Sequence, residues 1–258
     1  MKTFMCIIAA CVLVSRADAQ APTTNAALRY WMAFAVMHDP PAGQATAELL
    51  DRIAAGALPW DDAKFGKLLD DNREALEMMQ RATKLTTCDW GLEYDLGPNT
   101  PIAHLAKARV MGRLNALQGA RLASRGQLAQ AVDVWLAGVR FSQHVAHDGT
   151  LISLLSARLS LSPGLKSLAR AGAQPSLDAR HRQQIAAVVR AIPDAGFDWA
   201  DAMRREADLL VVAKKLDPKV NATMPSQTRV NSVADEVRAE RKQVLDAINP
   251  SSGARRER

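Results

Sequence analysis

Cysteine is scarce in this sequence. There are three in 258 residues, Cys6, Cys11 and Cys88, too few for a domain stapled by disulfides. Aromatic residues make up only 5% of the chain, and β-branched residues are few, which argues against a sheet protein. The 14 Gly and 12 Pro follow no period, so collagen-like and low-complexity classes are excluded. Neither charge sign dominates: 33 basic and 27 acidic side chains leave a formal net charge of +6. Long apolar runs are missing after the first twenty residues. No later segment reaches the ~20 apolar residues that a membrane-spanning helix needs. What is present is a 48% hydrophobic chain rich in Ala, Leu and Arg. That is the composition of a globular, helix-forming protein, and it excludes disorder.

The first residues read as an address. Lys2 supplies a positive end, Phe4 to Val14 is a short apolar run, and Ala17-Asp18-Ala19 gives the small-x-small cleavage pattern. Residues 1–19 are therefore expected to be a signal peptide cleaved before Gln20, which sends the protein to a periplasmic or extracellular location. Cleavage would remove Cys6 and Cys11 and leave Cys88 as the one thiol. No intramolecular disulfide could then form.

From Asn25 onward the apolar residues recur with a 3.6-residue period. The spacing predicts helices over about 25–37, 44–55 and 61–84. Then comes an irregular loop over 86–100. Further helices are predicted over about 100–125, 127–147, 150–171, 176–191, 197–216 and 230–248. Leu28, Trp31, Met32 and Ala35 are the expected inward stripe of the first helix. Thr100-Pro101, Thr150 and Ser176 are expected as helix starts. Ser162-Pro163-Gly164 is an expected kink or interruption. The sum is an all-α fold of eight or nine helices in irregular antiparallel hairpins, arranged as an α-solenoid or a bundle. Residues 20–216 are expected to form one helical domain. Residues 217–258 would add a loop, an appended helix and a frayed basic tail.

Gly119, Leu122, Gly126, Ala131, Trp135 and Gly138 stand at spacings of 3, 4, 5, 4 and 3. This pattern, within 112–145, resembles one tetratricopeptide-type helical hairpin. The resemblance implies a stack of hairpins and a groove that binds protein. A second similarity rests on Cys88-Asp89-Trp90-Gly91, on Pro101 to Leu105, on Arg140 to His144 and on Asp148 to Ile152. In these segments the chain is similar to secreted helical bacterial proteins of no assigned function. That similarity implies only that the 86–100 loop and the hairpin belong together.

Chemistry-bearing residues are few, and they complete no catalytic set. Cys88 with His104 offers a nucleophile and a base, if the thiol is ionised and the two meet; a buried structural Cys is the simpler reading. Asp89, Glu93 and Asp95, with Trp90 and Tyr94, could flank a sugar or could form an acidic loop anchored by its rings. His144, His147 and Asp148 offer ligands for a metal at i, i+3 spacing; alternatively the imidazoles serve the helix end. Arg109, Arg113 and Arg121 share a helix stripe that an anionic envelope surface could attract. Trp90, Tyr94, Arg109, Arg113, Trp135 and Arg140 are the candidate binding residues. No cofactor and no nucleic acid are expected. The expected role is a non-enzymatic interaction or scaffolding module with an envelope protein as partner. The alternative is an envelope hydrolase or metal-dependent enzyme built on His104, His144 or His147 with Cys88 or the acidic loop.

Overall fold

The structure is a computed structural model that describes residues 24–219 and 223–249. The leader expected over 1–19 and the basic tail expected from 251 lie outside the described residues. Ten α-helices follow one another: α1 (Ala26–Val36), α2 (Gln44–Ala54), α3 (Asp62–Asp71), α4 (Arg73–Ala82), α5 (Ala103–Ser124), α6 (Leu128–Ala146), α7 (Leu151–Gly172), α8 (Ala179–Ala191), α9 (Trp199–Leu216) and α10 (Gln227–Ile248). A 3-10 segment, Tyr94–Asn99, lies between α4 and α5. Among the described residues the β-type pairing is one isolated bridge, Asn25 to Thr87. The fold is all-α.

Helices α5, α6 and α7 pack on one another and set the body. Gly126, at φ 75°, makes the turn between α5 and α6, a conformation that costs glycine little. The two helices then run antiparallel and close. A Cβ on Gly119 would overlap the Trp135 indole, and one on Gly138 would press on the Asn115 amide. On the other side of α5, Gly112 meets Ser160 of α7. Small residues thus decide how near the backbones come. Val132, Leu136 and Val139 of α6 are fully buried, because α4 and α8 also lie against α6. Helix α10 lies on α7 and α8, and its Val237 and Val244 join the same core cluster as Tyr30 and Leu136. No helix among the described residues is long and apolar enough to cross a membrane.

Side chains close several helix starts. Asn25 accepts from the Ala27 N–H, Asp61 from Lys64, Asp178 from His181, Asp198 from Asp201 and Ser226 from Arg229, each satisfying a donor that the first turn leaves open.

Five expectations need correction. The helix expected over 61–84 is two helices, α3 and α4, because the buried Asn72 interrupts it. Its amide donates to the Leu68 and His38 carbonyls and accepts from the His38 N–H, so it ties the segment after α1 into the break. Helix α5 starts at Ala103, not at Thr100; Thr100 instead closes the 3-10 segment, its hydroxyl donating to Gly97 O and Glu93 O. The cap of α8 is Asp178, not Ser176. Helix α7 is not interrupted at Ser162-Pro163-Gly164 but continues through Pro163 to Gly172 as one element. The fifth concerns α1. Leu28, Trp31 and Met32 are 53%, 42% and 51% exposed. The buried face is Ala26, Ala27, Tyr30, Ala33, Phe34 and Met37. Alanines let α1 sit close to α4, and Tyr30 reaches across to His144. Both faces of α1 are apolar, and periodicity alone picks the bulkier one.

Candidate functional site

The 86–100 loop gathers most of the chemistry-bearing residues. Asn25 holds it at one end, accepting from the Asp89 N–H and donating to Asp89 O. Trp90 then inserts its ring beside Tyr30, Phe34 and His104. The His104 and Trp90 rings stack at 4.4 Å, and the Trp90 indole N–H donates to His144 O at 2.8 Å. The Tyr30 hydroxyl and His144 Nδ1 share a 2.7 Å hydrogen bond. Tyr94 donates to Asp148 O, and Arg205 bridges Asp148 to Asp201. Asp148 itself sits at φ 51°, in the left-handed region that Asp tolerates better than most residues. The loop and the α6 terminus therefore form one assembly around α1.

Burial dominates its electrostatics. Burial, then the nearby Asp89, pushes the Cys88 thiol up to about 12. The thiolate that nucleophilic attack requires is thus disfavoured. Burial pulls His104 down to about 4. Burial, with the neighbouring His147, does the same to His144. Both imidazoles are neutral at pH 7 and weak as bases. His104 is 2% exposed, and its Nε2 has no hydrogen-bond partner. His147 points outward to Asp148 at 3.1 Å. Among the described residues no three His, Cys, Asp or Glu side chains are grouped so as to hold a metal ion. Asp89, Glu93 and Asp95 are exposed, and Asp89 uses its carboxylate to accept from the Gly91 N–H.

The arginine stripe on α5 is largely internal bracing. Arg113 holds Asp51 of α2 through two nitrogens at 2.6 and 3.1 Å. Arg121, 8% exposed, joins Asp62 and Asp70 of α3. Arg109 is exposed. Trp135 is buried between α5 and α6, its indole N–H directed at Ala116 O.

Arg140 differs from these. It lies on α6, half-buried, and no described residue pairs with it. It stands where two hollows meet on one side of the body. One, of about 720 Å³, is walled by Ala187, Val188 and Ala191 of α8, by Ile192 just after it and by Thr83 to Thr86 after α4, over Val139 and Arg140 of α6. The other, of about 460 Å³, continues between Gln80 and Arg81 of α4 and Asp133 and Val134 of α6. They share Thr83, Lys84, Arg140 and Gln184, so they form one groove with α6 as floor and α4 and α8 as walls. Its apolar half contains two cations, Lys84 and Arg140, and no carboxylate among its lining residues. His144 also borders it and is neutral. The polar half contains Glu77, facing Arg81 at 3.9 Å, and Asp133, which accepts from the Gln184 amide at 3.0 Å.

Of the expected binding residues, only Arg140 lines this groove. Lys84, Gln184 and Val188 were not among the expected ones. The available signal was Val188 beside Val189 on α8: two adjacent apolar residues cannot both face one core stripe, and Val189 takes the buried position.

Fold and site together define a class, an all-helical protein with a cationic, half-apolar groove across its central helix. Comparisons with known protein families, with curated proteins and with solved structures return no match.

Proposed function

We propose that this chain is an exported, non-enzymatic interaction module, and that the groove over α6 receives a segment of an envelope protein. One observation carries the reading. Arg140, a half-buried residue that pairs with no described residue, stands at the junction of an apolar hollow and a polar one. A ligand carboxylate would give its guanidinium the charge-assisted hydrogen bonds that no described residue supplies. A groove with an apolar wall and a few placed polar groups is the usual form of a binding site. The neutral state of Cys88, His104 and His144 supports a binding role over a hydrolytic one. The leader-like start of the sequence supports the envelope as the setting.

Site-specific photocrosslinking in cells tests this. A crosslinker at Ala187 or Val188 should trap one dominant envelope protein. The same probe at Lys67, on the exposed side of α3, should not. Equal trapping from both positions, or none from the groove, would overturn the proposal.

A further inference from the structure

Resting on that reading, we propose that the groove recognises a protein's carboxyl-terminal end whose last residue is aliphatic, with Arg140 taking the terminal carboxylate. Charge complementarity comes first. Lys84 and Arg140 are the charged groups of the apolar half, and nothing acidic lines it. That half therefore favours an anion. A guanidinium presents two parallel N–H donors, which match a carboxylate.

Proximity comes second. Val188 of α8 and Ile192 just after it line the same hollow as Arg140. A molecule that fills this hollow therefore does best with an anion and an apolar group close together. The last residue of a peptide carries both on one Cα atom. An internal Asp or Glu offers the charge but not the adjoining aliphatic group.

The polar half suits the preceding backbone. The Gln80 amide donates to Asn115 and that of Gln184 to Asp133. Each side-chain carbonyl is left to accept from a peptide N–H, a pairing such donors require on desolvation. The two hollows run into one another through Thr83, Lys84, Arg140 and Gln184, which gives the preceding backbone a path away from the carboxylate.

The test is a titration of the chain from Gln20 onward, followed by amide chemical shifts. The probes are an alanine-rich hexapeptide ending in Leu with a free carboxylate, the same peptide amidated, and laurate, which offers a carboxylate and an apolar chain without a peptide backbone. The free-acid peptide should shift amides of α6 and α8 and saturate. Amidation should weaken binding at least tenfold, and so should Arg140→Gln, whose fold is checked by its melting curve. Arg140→Lys should lie between. Equal binding of acid and amide, or no loss in Arg140→Gln, would overturn the inference. So would laurate binding tighter than the peptide, which would make the groove a lipid site. If groove crosslinks to an envelope protein persist while no free-acid peptide binds, this inference fails and the interaction reading stands. If the crosslinks are also absent, both fail.

Discussion

At the scale of single residues, the largest effects should come from groups whose surroundings leave no slack. Gly119 is one. A methyl there would enter the space of the Trp135 indole, and overpacking of this kind costs about 1–3 kcal/mol. Gly119→Ala should lower the unfolding free energy read from a urea titration by that amount and alter the tryptophan emission. Tyr30 is another. Tyr30→Phe removes the hydroxyl that partners His144 Nδ1, leaving a shielded polar atom unpaired at about 1–3 kcal/mol. The histidines also give the fold a pH dependence of definite sign. Their folded values lie at about 4, below the ordinary 6.5. Between those pH values the unfolded chain binds protons that the folded chain does not. Stability is therefore full above pH 6.5 and falls as pH drops through about 4. For His104 the loss is about 3 kcal/mol at most. Denaturation at pH 7.5 and pH 4.5 should differ by an amount that shrinks in His104→Leu. The Cys88 thiol, buried and unionised, should be inert to Ellman's reagent until the protein is unfolded.

At the scale of elements, α1 separates bulk from burial. Leu28→Ser, on the exposed face, should change stability by less than about 0.5 kcal/mol. Phe34→Ala, on the α4 side, should cost about 3–5 kcal/mol. A chemical-denaturation pair decides whether the exposed face is as free as it stands. This contrast also shows what the sequence could and could not reveal. Helix type and position were legible wherever the period was sustained, as in α5, α6 and α10, because a 3.6-residue stripe has no strand equivalent. The Gly126 turn and the Gly119–Trp135 approach were legible for the same local reason. The face of α1 was not, since both sides are apolar and the choice depends on α4. The split at Asn72 was not, because two of its three side-chain hydrogen bonds involve His38, distant in sequence. Arg140 was legible as a charge on a helix, but its lack of a partner depends on α4 and α8, which meet it only in three dimensions.

At the scale of the whole molecule, α6 is both the middle of the core and the floor of the groove. Its Val132, Leu136 and Val139 are fully buried, with α4, α5, α7 and α8 around them. Amides of α6 should exchange with deuterium only through global unfolding, and those of α2 through smaller openings. Faster exchange in α6 than in α2 would contradict this arrangement.

That double role couples occupancy to melting. A molecule seated on α6 binds only the folded chain, so by mass action it adds about 2.7 kcal/mol of stability at a hundredfold excess over its dissociation constant and raises the melting temperature. The protein is thus its own reporter. A plain thermal shift, with no label and no knowledge of the natural ligand, ranks whatever enters the groove.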